Sequence, residues 1–297
     1  MPAFTAQTGI APPVDTGLGR VYTTNIRAAG ADNPPYGVVM TNEIFATVLR
    51  GEGCLEELDQ SKLPNYADLQ PVATRAAQGM GAVGMISPIG IGYRTDLIRT
   101  PPKAWKDLRA VEEHKGRTGL YNIVNTAGTM MVMLTGKLCG KDIHDVDVAF
   151  AKLKELGRII QTDFNMSIAF AAGEVAIAPF DFREIARLRN QGLPVDCDIP
   201  EQGMMMWDQT ISIARNIAAR DAAYACLDFV LSPPAQELLL REFFVTPVNT
   251  KVTVPADLQR DVPVSGDTMD GLIARDWNWV NANNEMLTRR WNETFAG

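Results

Sequence analysis

Short apolar runs alternate with amphipathic segments along most of this chain. That alternation narrows its folds more than any other feature. "YGVVMT" (36–41), "GAVGMISPIGIGY" (81–93), "GRTGLY" (116–121), "EVAIAPF" (174–180), "LPVD" (193–196) and "TISIA" (210–214) read as strands. Between them lie helical stretches, among them 42–53, 127–140, 145–160, 181–192, 220–231 and 232–244, with a tryptophan-rich helical segment at 276–295. In 145–160 Asp145 reads as the cap, with Val146, Phe150, Leu153, Gly157 and Ile160 at helical spacing. Strands that alternate with helices predict an α/β fold with largely parallel sheets. The run at 81–96 is rich in glycine, which suits backbone passing close to another element.

In such sheets ligands gather where strands end and loops lead into helix N-termini. Four such ends carry polar or aromatic side chains directly after apolar residues: Thr41-Asn42-Glu43, Asn125-Thr126 with Gly128, Phe180-Asp181, and Trp207-Asp208. Their recurrence predicts one shared cleft. Asp208 stands out, because a carboxylate beside the largest aromatic side chain costs several kcal/mol unless something pairs with it. Each carboxylate also has a plain structural role open to it: Asp181 as a helix cap, Glu43 as a first-turn charge, Asp208 as a satisfied buried group. Asn42 reads as the cap of the helix it precedes, and Met204 to Met206 as core filler.

The 297 residues are long for one core and comfortable for two. With 46% hydrophobic and 21% charged residues this is a folded globular chain. A net charge of −7 without a lysine/arginine block argues against nucleic acid and anionic membranes as partners. The longest apolar runs are broken by glycine and proline and are too short to span a bilayer. Both histidines, His114 and His144, lie among charged neighbours and are expected at the surface. Cys54, Cys139, Cys197 and Cys226 form no C-x-x-C pattern, which disfavours zinc and redox chemistry; buried thiols and disulfides both stay open. No G-x-S-x-G, P-loop or H-E-x-x-H motif occurs, and the G-x-G of "GIGYRTD" lacks a third glycine and a following helix. No cofactor or metal is expected.

"SKLPNYADLQP", "GIGYRTDLI", "PPKAWKDL", "HKGRTGL", "GEVAIA", "GLPVD", "MWDQTISI" and "TPVN", in this order from about Phe4 to Phe295, resemble the bacterial extracellular solute-binding proteins of ABC importers, and among them the spermidine/putrescine-binding branch. The resemblance implies a two-lobed periplasmic-binding-protein fold of type II. Its lobes are joined by crossover strands, with one ligand clamped between them and C-terminal helices. Lobe one is expected over residues 1–86 and 210–246, lobe two over 87–209, and a helical segment packed on lobe two over 247–297. The family begins with a leader, a first strand and the start of helix one, so lobe one is expected to lack that strand.

A periplasmic, monomeric, non-enzymatic protein follows from the resemblance, one that hands a small amine-containing, polyamine-like solute to an inner-membrane permease. Asp208 falls where polyamine binders pair an aspartate with a ligand ammonium, and Trp207 offers a face for cation–π contact. Thr41, Asn42 and Glu43 match the family's first polar strand end, and Phe180 with Asp181 the aromatic after the "GEV" strand. The acidic pair of polyamine binders falls on Asn125, Thr126 and Gly128, which are neutral. The tyrosine before "TPVN" is replaced by Val245 or Thr246. A neutral helix start offers N–H groups to a carboxylate, so a zwitterionic or carboxylated amino-acid or opine-like solute is the alternative ligand. Ferric iron is disfavoured without a Tyr-Tyr pair. A small α/β enzyme using Asp181 and Asp208 is the alternative from another class.

Overall fold

The computed structural model describes residues 1–109, 114–273 and 275–295. The chain divides into two compact units. Unit one is Met1–Ile86, Asp208–Pro255 and Ser265–Asp267; unit two is Ser87–Trp207, Ala256–Val264 and Thr268–Gly297. In chain order the first elements are α1 (Pro2–Thr8), α2 (Gly19–Ala29), β1 (Val38–Thr41), α3 (Glu43–Gly51), α4 (Pro71–Arg75) and β2 (Ala82–Arg94). Then come β3 (Thr118–Tyr121), α5 (Thr126–Cys139), α6 (Val146–Lys154), β4 (Ile159–Thr162), α7 (Met166–Ala171), β5 (Ile177–Asp181), α8 (Phe182–Asn190) and β6 (Val195–Asp198). β7 (Met205–Ile213), α9 (Arg220–Leu231), α10 (Pro233–Phe243), α11 (Trp277–Ala282) and α12 (Asn284–Phe295) follow.

In unit one, β1 pairs antiparallel with β7, with Val38 opposite Ile213 and Thr41 opposite Thr210. Ile26, Val39, Leu49, Cys54 and Leu55 form its core cluster, and Tyr36 and Met80 pack against it. Fully burying side chains the size of Ile26 and Leu49 contributes about 1.5–3 kcal/mol each.

In unit two, β3 runs parallel to β4, with Tyr121 opposite Thr162, and parallel to β5, with Thr118 opposite Ile177. β2 runs antiparallel to β5 and to β6. The glycines of β2 are required there. A Cβ on Gly90 would lie 2.5 Å from the Asp198 carbonyl oxygen and 2.8 Å from the Phe182 ring. α5 buries every residue from Ala127 to Leu134, as a stretch enclosed on all sides must, and only its last turn, with Cys139, is exposed.

The largely parallel arrangement expected from the alternation is therefore corrected to a mixed one. Alternation fixes strand direction only where a crossover helix joins neighbours. β1–β7 and β2–β6 pair residues far apart in sequence, and no local pattern encodes their sense. Three further expectations change. Trp207-Asp208-Gln209, read from the local pattern as a strand end, lies inside β7, on a strand as the resemblance implies, because β7 starts at Met205. The helix expected over 145–160 stops at Lys154: Gly157 adopts φ 71°, and Ile160 belongs to β4 opposite Gly119. His114 is buried, with Nδ1 3.3 Å from the Thr118 hydroxyl, since charged sequence neighbours do not decide which way one ring points. His144 is partly exposed beside Asp276, its ring 4.8 Å from that of Trp279. All four cysteines are free thiols.

Candidate functional site

The β1–β7 register sets the first group of polar residues, in unit one. With Thr41 opposite Thr210, the next residues of the two strands also meet: the Glu43 N–H donates to Asp208 Oδ1 at 2.9 Å, and Asn42 Nδ2 donates to the Asp208 carbonyl at 2.6 Å. Asn42 makes no side-chain cap bond. The Asp208 carboxylate instead satisfies a first-turn N–H of α3, from a strand 165 residues away in sequence. Asp208 is 1% exposed.

The Glu43 carboxylate, 2% exposed, is ion-paired with the buried Arg50. It also accepts from the hydroxyls of Thr47 and Thr210. Thr47 and Arg50 follow Glu43 by four and seven residues on one helix face. Arg50 donates further to the Ala77 carbonyl. Thr41 is buried at the end of β1.

The second group lies in unit two, on the edge where the parallel strands β3 and β5 end. Asp181 caps α8, accepting from the Glu184 N–H at 3.3 Å. It also accepts from the Ser87 hydroxyl at 3.4 Å and lies 3.3 Å from Arg183 Nε. The Arg183 guanidinium stacks over the half-buried Trp207 ring, 4.1 Å from its centroid. Tyr121, at the end of β3, belongs to the same cluster. Burial raises its phenol well above the ordinary range, and the charges of Asp181 and Glu184 add to the effect. Burial also raises Glu184, but Arg187 and Arg183 outweigh it and hold the carboxyl below its usual value. Phe180 is fully buried in the core, stacked on Phe170 at 5.2 Å.

Further along this edge, Asn125 caps α5. Its Oδ1 accepts from the Ala127 N–H at 2.9 Å, and its Nδ2 donates to the Asp163 carbonyl at 2.7 Å. Thr126 begins the helix, partly exposed. A Cβ on Gly128 would lie 2.3 Å from the Asn122 carbonyl oxygen, so only glycine lets α5 approach the end of β3 this closely. Among the described residues no group of side chains could hold a metal ion. Arg183 and Tyr121 were not singled out in the sequence. The signals available were an arginine two residues after a capping aspartate and an aromatic closing an apolar strand.

Burial raises the Asp181 carboxyl, and Arg183 only partly offsets it. The folded state thus binds this proton more tightly than the unfolded chain does. The stability this contributes is complete below the ordinary aspartate value of about 4 and is lost as pH rises through the higher folded value. Asp181→Asn keeps a cap acceptor. It is expected to flatten this part of the stability curve and to unfold at a higher temperature than wild type at pH 7. Thermal unfolding between pH 4 and 7 checks this; parallel curves would mean that Arg183 and Ser87 already cancel the burial cost.

Solved structures share this fold. A Clostridium perfringens ABC transporter structure superposes with TM-score 0.82 at 23% identity, covering 99% of this chain and 93% of that one. A spermidine/putrescine substrate-binding protein of Streptococcus pneumoniae superposes with TM-score 0.79 at 19% identity, covering 99% and 94%. Residues 1–264 match the bacterial extracellular solute-binding protein family, and the chain belongs to that family. Among curated relatives, the spermidine/putrescine-binding periplasmic protein of Escherichia coli is 24% identical over 208 residues, 67% of this chain; the match spans 59% of that protein's length.

Proposed function

We propose that this chain is the solute-binding component of an ABC importer. It acts in the periplasm as a monomer, captures one small amine-bearing, polyamine-like solute without turning it over, and delivers it to an inner-membrane permease. Family membership and the names of its relatives support this reading. The observation that carries it is the cluster on unit two. Two carboxylates, Asp181 and Glu184, stand beside Arg183, and the Trp207 indole already attracts that cation to its face. An ammonium leaving water needs such compensation. Asp208, held by the α3 N-terminus, is proposed separately as a carboxylate of unit one that serves the solute.

A second reading keeps the amine and adds a carboxylate: an amino-acid or opine-like solute. Arg183, stacked on Trp207, favours it, because a guanidinium can receive a carboxylate with two N–H groups. Calorimetry with putrescine, spermidine and a set of aminocarboxylates, on wild type and Arg183→Gln, separates the two. If the solute is a plain amine, Arg183→Gln binds it as well or better, since a competing cation has left the indole face. If it is an aminocarboxylate, the variant weakens binding by at least tens-fold. No binding of any amine would overturn both readings.

Asp208→Asn is expected to weaken amine binding by about 2–4 kcal/mol, the range for truncating a desolvated charge pair. The unliganded protein should change by less than about 1 kcal/mol, because asparagine can still accept from the Glu43 N–H. A variant that unfolds readily yet binds the solute unchanged would make Asp208 purely structural.

A further inference from the structure

Away from these groups, unit two holds a half-open pocket of about 220 Å³ between the short turn at Trp105–Leu108, α5 and α6. Its wall is apolar, with Leu108, Met131 and Leu134 buried behind it. Its solvent-reaching lining residues include the basic Lys106, Arg109 and Lys152, and none of the described residues lining it is acidic. Glu155 lies beside the mouth and pairs with Arg109 at 3.0 Å and Lys152 at 2.7 Å, which orders the two cations.

An apolar void with cations on one rim is matched by a molecule with a hydrocarbon body and an anionic end. We propose that this cavity binds a short alkyl carboxylate, with its chain against Leu108, Met131 and Leu134 and its head group at Lys106, Arg109 and Lys152. Size sets the chain length. An apolar cavity of about 150 Å³ accommodates benzene, so this one takes roughly six to eight carbons. The inference rests on no assignment of the transported solute.

Cys139 lines the same cavity and is exposed, whereas Cys54 and Cys197 are buried and Cys226 is partly so. A thiol reagent should therefore modify Cys139 first, with Cys139→Ser identifying its share of the signal. Sodium octanoate, well below its micelle concentration, is expected to slow that modification and to raise the unfolding temperature. Octanol, with the same chain and no charge, should need at least tenfold more to do either. Arg109→Gln/Lys152→Gln changes two exposed side chains, so the fold should be kept while the octanoate concentration for half-protection rises tenfold or more. Absence of protection by octanoate would overturn the site. Equal protection by octanol, or an unchanged midpoint in the double variant, would overturn its specificity for an anion.

Discussion

Glu43→Leu is expected to destabilise unit one by about 3–5 kcal/mol, because it leaves the Arg50 guanidinium buried without its carboxylate. Arginine cannot escape by losing its proton. The Ala77 carbonyl and the Thr47 hydroxyl would be its remaining named partners. Glu43→Leu/Arg50→Leu removes both charges and should recover most of the loss, since replacing a buried pair with apolar side chains is often close to neutral. Urea unfolding of both variants checks the pattern. Urea unfolding and calorimetry of Glu43→Gln test whether Glu43 serves the solute. If Glu43→Gln leaves the unfolding midpoint unchanged and weakens only solute binding, the carboxylate belongs to the binding surface. If the midpoint falls and binding survives in the folded fraction, Glu43 is the internal partner of Arg50.

Gly128→Val is the second large effect. The added Cβ would be 2.3 Å from the Asn122 carbonyl oxygen and 2.7 Å from both the Asn122 carbonyl carbon and the Tyr121 oxygen, all of them backbone. No side chain can rotate away, so α5 must shift against the end of β3. Overpacking typically costs about 1–3 kcal/mol, and a clash with backbone alone puts this variant at the upper end, which lowers Tm by roughly 2–4 °C for each kcal/mol. Alanine meets the same atoms and should lose nearly as much, although it is the better helix former. An alanine variant as stable as wild type would show that α5 can slide. The displaced helix start carries Asn125 and Thr126, so a solute that contacts this edge should also bind more weakly in whatever fraction stays folded.

How much of the two groups is legible in the sequence differs with the distance over which their partners act. The Glu43, Thr47 and Arg50 alignment can be read directly, because four and seven residues bring side chains to one helix face. Asp181 as the cap of α8 is equally local: the carboxylate and the Glu184 N–H are three residues apart. The partner of Asp208 cannot be read this way. Its carboxylate meets the Glu43 N–H only because β1 and β7 pair in one register, and a shift of one residue would turn Asp208 to the other face. The Arg183–Trp207 stack is likewise set by β7 passing α8.

The sequence by itself determined the class of fold, the positions of most helices and the set of polar residues that follow apolar strands. These rest on hydrophobic periodicity, on capping residues and on glycines such as Gly90, all of which act within a few residues of their own position. Tertiary structure alone decided the sense of the strands, the ending of α6 before Ile160 and the burial of His114. It also decided which charges are matched inside the protein. Glu43 is neutralised by Arg50 and Asp181 faces Arg183, and these pairings fix how much negative charge each unit presents. The physical reason is common to all of these. Strand pairing and charge pairing are made between segments brought together by burial of the cores, and their energies depend on a geometry that no single stretch of chain contains.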